Sequence, residues 1–367
     1  MSKTAPRKRS PAAAATTAGP LTLDEARALA APAPRRAHVR AASAAARAAG
    51  AGSAPSAPPA QRSPRTLRAP TTPATVGAQR ERLLRASRAE RARRLREYTA
   101  VMTLLKQRGA RAPGRRRGPA FAPLQVMAEG DSWFEYPVPL FGGGIVPRLE
   151  ARLGVPVLNL AAAGDEVRDM LGVAQRTRLI ECLRAGCPAG GPWDALLFSG
   201  GGNDIVGDPM ALWVRDYDPR VPPATLLHPP RFEAALALVR AGYEDLIALR
   251  DALSPGTHLV FHTYDYALPD GRGICHHGPW LKPAFDLRGF PSRQAAWPVV
   301  IAMLQQFAAM LDALATHPRV SVINGQGTLR PVPSAWHNEL HPASAGYDRF
   351  AVLFQQQLRA LFPGRVA

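Results

Sequence analysis

Residues 121–137 read "FAPLQVMAEGDSWFEYP", an apolar stretch that ends in Gly130, Asp131 and Ser132. The apolar run predicts a buried strand, and open α/β sheets keep their chemistry at the carboxyl ends of their strands. The stretch therefore predicts that the Ser132 hydroxyl lies at the rim of a sheet. A Gly-Asp turn followed by a solvated serine would produce the same letters, so the rest of the chain has to decide between the two.

The chain after residue 120 alternates short apolar segments with amphipathic ones, which is typical of a parallel sheet covered by helices on both faces. We predict an α/β domain over residues 121–367 with five strands. The expected strands are residues 124–128, 155–161, 193–204 with a glycine-rich exit, 258–266 and 319–325. The expected helices are residues 145–153, 165–186, 231–253, 294–316 and 344–362.

Four residues that could take part in catalysis follow these strands: Ser132 the first, Gly164 the second, Asn203 the third and His341 the fifth. Because the carboxyl ends of parallel strands face one crevice, we expect the four to meet there. They would supply a nucleophile, a backbone N–H donor, an amide donor and a base. Each also has an ordinary interpretation: Gly164 as a turn, Asn203 as a helix cap and His341 as a surface residue.

Four short blocks carry a family resemblance: "GDS" at 130–132, "NLAAAGD" at 159–165, "GGND" at 201–204 and "NELHP" at 338–342. With these blocks, residues 121–363 resemble the SGNH (GDSL-type) hydrolases, a superfamily of esterases and lipases. The resemblance implies a three-layer α/β/α flavodoxin-like fold and catalysis without a cofactor. It also implies that Ser132 is the nucleophile and His341 the base, and that Ser132, Gly164 and Asn203 form the oxyanion hole.

Asn338 departs from the family pattern, in which most relatives carry Asp three residues before the histidine. A carboxylate there holds the imidazole tautomer and stabilises the imidazolium, whereas Asn is neutral. Three arrangements are open. Asn338 or a backbone carbonyl assists a Ser-His pair, Glu339 acts as a substitute acid, or the enzyme is weakened.

The positive charge is confined to the N-terminal third, since residues 1–120 hold 26 Lys and Arg against 5 Asp and Glu, and residues 121–367 hold 20 against 23. Residues 1–77 are rich in Ala, Pro and Arg and have few large apolar side chains, which predicts disorder. Residues 78–109 predict a basic helix, followed by a linker to residue 120. That helix docks on the following domain, contacts an anionic partner, or is solvated.

The cysteines are odd in number and lack metal-type spacing: Cys182, Cys187 and Cys275. "ICHHGPW", with His276 and His277 beside Cys275, lacks the ligand spacing of a closed zinc site, so we expect no metal. The N-terminus has no apolar core of the secretory type, and no apolar run reaches membrane-spanning length. A cytoplasmic location is the resulting expectation, with export still open.

Two functions are compatible with these patterns. The first is a serine hydrolase that cleaves a carboxylic ester or an O-acyl group through an acyl-enzyme. The second is a weakly active or inactive binding protein on the same fold, whose basic arm contacts nucleic acid or another anionic surface. Fold alone does not choose between them.

Overall fold

The computed structural model describes residues 19–31, 73–113, 120–136, 143–274 and 277–366. Its centre is a parallel sheet with the strand order β2-β1-β3-β4-β5. The strands are β1 (Val126–Gly130), β2 (Val157–Asn159), β3 (Ala195–Ser199), β4 (His258–His262) and β5 (Val320–Ile323). This is the α/β fold that the alternating pattern predicts.

Helices cover both faces of this sheet. They are α1 (Leu23–Ala30), α2 (Pro73–Arg108), α3 (Ile145–Leu153), α4 (Val167–Met170), α5 (Val173–Ala185), α6 (Pro229–Leu253), α7 (Lys282–Leu287), α8 (Arg293–Leu314) and α9 (Ser344–Leu361). The chain runs from β1 to one edge at β2 and then crosses back towards β5. Since parallel crossovers are right-handed, α3 and α9 pack together on one face, and α5, α6 and α8 lie on the other.

The strands form the centre of the hydrophobic core, because both faces of the sheet are covered. All residues of β1 and β3 are buried, and this explains their continuous apolar runs. Glu129 is a charged residue within the apolar run of β1, and its carboxylate accepts from the Arg178 guanidinium at 2.9 Å. The observed strands are shorter than predicted at β2, β3, β4 and β5, and β1 ends at Gly130 rather than at residue 128.

The N-terminal region differs from its prediction. Residues 19–31 were expected to be disordered, but Leu23–Ala30 form a helix whose N-terminus is closed by reciprocal hydrogen bonds between Thr22 and Glu25. Leu21, Leu23 and Ala26 are buried against α2. The prediction is wrong here because the composition of the whole segment hides one short amphipathic stretch. Residues 73–77, also expected to be disordered, form the start of α2. Residues 1–18 and 32–72 lie outside the described structure.

Helix α2 docks on the sheet domain through its C-terminal half. Four of its side chains are buried in the same core as the strands: Tyr98, Val101, Met102 and Leu105. Beyond the helix, Ala110 is completely buried and bridges both Leu21 and Phe121. The folded unit therefore begins before the predicted boundary at residue 121, and residues 114–119 of the predicted linker lie outside the described part.

Helix α8 is long and apolar enough to cross a membrane by length and composition alone. Its apolar side chains contribute to the core, and the helix packs against β5 and α6. These contacts account for its hydropathy. Cys182 and Cys187 are free thiols, and Cys275 lies outside the described residues.

Candidate active site

Ser132 lies in the turn that directly follows β1. The Asp131 N–H still donates to the Ser199 carbonyl on β3, and the Phe134 N–H donates back to the Asp131 carbonyl, which closes the turn. Glycine is required at position 130, because a Cβ there would lie 2.6 Å from the Ser199 carbonyl oxygen. The Ser132 side chain is thus held at the rim of the sheet, with the residue only 7% exposed.

His341 lies between Ser132 and Asn338. Its Nε2 is 2.6 Å from Ser132 Oγ, and its Nδ1 is 2.9 Å from Asn338 Oδ1. An amide oxygen only accepts, so Nδ1 carries the proton and Nε2 is free to accept from the serine hydroxyl. This is the tautomer that a histidine needs to act as the base towards Ser132.

The orientation of the Asn338 amide is set by its neighbours. The backbone N–H groups of Leu340 and His341 both donate to Oδ1 at 3.0 Å, and Nδ2 donates to the Tyr136 hydroxyl at 3.2 Å. The reverse orientation would face an NH₂ group towards two N–H donors. Asn338 therefore presents its oxygen to His341.

Tyr136 also packs on the histidine itself, since the two rings stack with centroids 4.5 Å apart. Burial is the main cause that lowers the pKa of His341 to about 3, and the nearby His337 lowers it further. The imidazole is therefore neutral near pH 7. The contact of Tyr136 with Asn338 has no sequence signal.

Glu339 does not contact His341. Its carboxylate accepts from four backbone N–H groups, those of Gly271, Trp280, Leu281 and Lys282, at 2.6 to 3.0 Å. The substitute acid considered from the sequence is thus turned to the opposite side, where it holds the loop between β4 and α7. In the bend that carries both residues, the Asn338 side chain faces the histidine and the Glu339 side chain faces the loop.

The two other residues expected in the oxyanion hole, Gly164 and Asn203, follow β2 and β3; Asn203 lines the cavity beside Ser132, and Gly164 is not among its lining residues. Asn203 Nδ2 donates to the Asp165 carbonyl at 2.8 Å, which ties the amide to the loop that carries Gly164. Gly164 has φ +87°, a conformation that favours glycine. Among the residues that the structure describes, neither the Ser132 nor the Gly164 backbone N–H has a hydrogen-bond acceptor. Both amides remain available to a ligand.

A buried polar network lies beneath the serine. Asp131 accepts from the Trp133 N–H and the Ser199 hydroxyl through Oδ1 and from the Tyr264 hydroxyl through Oδ2. Ser199 Oγ is also 2.8 Å from His262 Nε2. Burial raises the pKa of Asp131 to about 6. This network has no sequence signal, because a histidine inside a buried strand has the same pattern as any other core position.

A cavity opens beside the serine hydroxyl, and Ser132, Asn203 and His341 all contribute to its wall. The remaining lining is largely apolar. Within the described ranges, no group of three or more His, Cys, Asp or Glu side chains could hold a metal ion. Cys275 and His276 of the "ICHHGPW" segment lie outside those ranges.

The chain is similar to several solved structures. Solved structures similar to the chain include the lipase Lip_vut3 from a goat rumen metagenome (19% identity, 66% of this chain and 100% of that chain, TM-score 0.43). An extracellular lipase from Streptomyces rimosus is 15% identical over 64% of this chain and 99% of that chain, with a TM-score of 0.41. Est24, a carbohydrate acetylesterase from Sinorhizobium meliloti, is 13% identical over 65% of this chain and 100% of that chain, with a TM-score of 0.39.

A search of functionally curated proteins finds no match. The family assignment rests on a model of the GDSL-like lipase/acylhydrolase family, which matches residues 128–349. That match covers more than half of the chain and includes Ser132, Gly164, Asn203 and His341. The chain belongs to the GDSL-like lipase/acylhydrolase family of hydrolases.

Proposed function

We propose that this protein hydrolyses a carboxylic ester or an O-acyl group through an acyl-enzyme formed on Ser132. The observation that carries the proposal is the 2.6 Å contact between Ser132 Oγ and His341 Nε2. A serine hydroxyl is a weak nucleophile unless an adjacent base takes its proton, and this contact supplies that base. The neutral state of His341 supports the same role, because only the neutral ring can accept a proton.

In the first half of the reaction, Ser132 Oγ attacks the ester carbonyl carbon while its proton passes to His341 Nε2. The carbonyl oxygen becomes an oxyanion, and the N–H groups of Ser132 and Gly164 with the Asn203 amide stabilise it. Loss of one such donor typically costs about 3 kcal/mol of barrier. The C–O bond to the alcohol then breaks, and the alcohol leaves with the proton from His341.

In the second half, a water molecule takes the place of the alcohol. His341 Nε2 accepts a proton from this water as its oxygen attacks the acyl carbon on Ser132. The second tetrahedral intermediate uses the same oxyanion donors. Its collapse breaks the bond to Ser132 Oγ, which regains a proton from His341, and the carboxylic acid leaves.

A weakly active or inactive binding protein is the second candidate, and the neutral Asn338 favours it. In a serine triad, replacing Asp by Asn costs about four orders of magnitude in rate, because the histidine then takes the wrong tautomer. Here Asn338 accepts from His341 Nδ1, so the tautomer problem does not arise. The only deficit that remains is the missing negative charge. The correct tautomer therefore supports a hydrolase over an inactive binding protein.

Labelling with a fluorophosphonate tests the proposal, since such probes react covalently with activated serines. We expect the wild-type protein to be labelled and to hydrolyse p-nitrophenyl acetate, and Ser132→Ala to lose both properties while melting at a similar temperature. Ser344→Ala, an exposed serine at the start of α9, is the matched control and should keep both. Turnover retained in Ser132→Ala contradicts the assignment of the nucleophile. If the folded wild-type protein is neither labelled nor active, the hydrolase proposal is wrong and the second candidate, a binding protein, replaces it.

A further inference from the structure

The cavity beside Ser132 limits which acyl group the proposed hydrolase accepts. The acyl chain stays attached to Ser132 while the alcohol leaves and water enters, so the chain needs the enclosed side of the site and the alcohol needs the open side. The cavity is only partly open to solvent, and Ser132 and His341 are among its lining residues. From this geometry we infer that the protein is selective for short acyl groups, of about two to four carbons; this inference rests on the proposed function.

The walls of the cavity suit an apolar group. They consist mainly of six side chains, all of them buried: Ile205, Ala267, Leu281, Val300, Met303 and Leu304. Val300, Met303 and Leu304 recur at helical spacing on α8 and form one continuous wall. Polar recognition of an acyl chain is therefore not expected on this side.

The two carboxylates in the lining are already satisfied by the protein. Asp265 accepts from the backbone N–H groups of Tyr266, Gly327 and Leu329. Asp131 accepts from its own network beneath the serine. Neither acid needs a hydrogen-bond donor from a ligand, which leaves the cavity effectively apolar.

The cavity is also small. The space open to the centres of water-sized spheres is about 40 Å³. A single water-sized sphere itself occupies roughly 10 to 15 Å³, so the cavity is of the size of a few such groups. A methyl or methylene group is of similar size, and the carbonyl carbon itself is bonded to Ser132. Acetyl to butyryl groups fit, whereas an octanoyl chain requires the walls to move.

Movement of these walls is opposed by their packing. Gly202 lies under the Tyr264 ring so closely that a Cβ would be 2.8 Å from it. The Tyr264 hydroxyl is held by Asp131. Met303, which is 1% exposed, has a long unbranched side chain, so its truncation would lengthen the cavity. We therefore assign Met303 as the residue that sets the length limit.

A series of p-nitrophenyl esters with acetyl, butyryl, octanoyl and dodecanoyl groups tests the inference. We expect kcat/KM to be highest for acetate or butyrate and at least about tenfold lower for octanoate, the scale on which pocket size discriminates methylene groups. A maximum at octanoate or dodecanoate overturns the inference.

Met303→Ala should raise the ratio of octanoate to acetate kcat/KM by about tenfold or more. Met310→Ala is the matched control, because Met310 is buried on the same helix but does not line the cavity. The octanoate-to-acetate ratio of Met310→Ala should stay within about twofold of the wild-type ratio, since this substitution lowers stability and leaves the shape of the cavity unchanged. Equal ratios in the two variants overturn the role of Met303.

If Met303→Ala does not fold, Ala267→Val narrows the same cavity and should lower the ratio of butyrate to acetate kcat/KM by about fivefold or more. An unchanged ratio in a folded Ala267→Val variant counts against the inference. Failure of the proposed function is distinguishable, because Ser132 is then not labelled by the fluorophosphonate and no ester is cleaved. Labelling together with a preference for long chains overturns the length limit alone.

Discussion

Asn338 performs only the first of two tasks that a single acid performs in most serine triads. One task is to orient the histidine, and the 2.9 Å contact with His341 Nδ1 does this through a neutral oxygen. The other is to stabilise the imidazolium that forms when Ser132 gives up its proton, and a neutral amide contributes little to it. The pKa of about 3 for His341 expresses the same deficit, since burial opposes the charged ring and no anion compensates.

Asn338→Asp should therefore increase kcat/KM on an activated ester, by about tenfold or more. The new carboxylate would accept hydrogen bonds from the backbone N–H groups of Leu340 and His341, from His341 Nδ1–H and from a rotated Tyr136 hydroxyl. The buried site can therefore accept the charge. An adjacent anion raises the pKa of the histidine, and the base works only when neutral. The acid limb of the pH profile of kcat/KM should consequently move to higher pH in the variant.

Two variants serve as controls for this prediction. Asn338→Ala removes the orienting contact and should lower kcat/KM by about tenfold, because the ring can then adopt other orientations. Glu339→Gln should reduce thermal stability but leave the acid limb in place, since Glu339 bonds to backbone amides of the loop between β4 and α7. An unshifted acid limb in Asn338→Asp, or a shifted one in Glu339→Gln, would show that the histidine has a different partner.

At the level of elements, α2 is the part of the chain that the sequence left most open. Docking, an anionic partner and solvation were all compatible with a basic amphipathic helix. The C-terminal half of α2 docks on the sheet domain, and Arg94, one of its basic residues, takes part in the contact. Its guanidinium donates to Glu135 at 2.6 Å and to the Ala161 carbonyl at 3.3 Å, so the helix contacts both the segment after the serine and the loop before Gly164.

Met102→Ala tests this docking. Met102 is completely buried at the interface of α2 with the domain, and truncation of such a side chain typically costs about 2 to 5 kcal/mol of unfolding free energy. Leu95→Ala, on the same helix but 42% exposed, should change it by less than about 0.5 kcal/mol. Urea unfolding of the two variants provides the measurement. Equal stabilities would mean that α2 is not part of the cooperative unit.

For the molecule as a whole, the position of the positive charge matters more than its sum. The formal net charge is +18, yet residues 121–367 carry a small excess of acids. Several arginines of α1 and α2 are paired with carboxylates, among them Arg27 with Glu150 and Arg93 with Glu90. The basic residues of 1–18 and 32–72 lie outside the described structure, and we propose that these two segments contact an anionic partner.

Replacing the Lys and Arg residues of 1–18 and 32–72 with Gln tests this proposal without removing α1 or α2. The wild-type protein should bind a DNA duplex more tightly in 50 mM than in 200 mM salt, because binding releases condensed counterions, and the variant should lose this binding. Hydrolysis of p-nitrophenyl acetate should be similar in both, since the catalytic residues all lie beyond residue 120. Equal, salt-sensitive binding by both proteins would contradict the role of these segments.

The sequence by itself determined the class of fold and the order of the blocks around the site. Alternating apolar segments specify strands and helices through contacts between near neighbours, and parallel strands must then bring their carboxyl ends to one edge. The convergence of Ser132, Asn203 and His341 on one cavity follows from that rule.

Only the tertiary structure decided which of two adjacent residues, Asn338 or Glu339, faces His341, whether α2 docks, and how much space lies beside Ser132. Each depends on packing between segments that are far apart in the sequence: Asn338 against Tyr136, α2 against β2, and α8 against the serine turn. Local patterns state that a side chain is buried but not what it is buried against. The direction of a side chain and the size of a cavity are properties of the packed core.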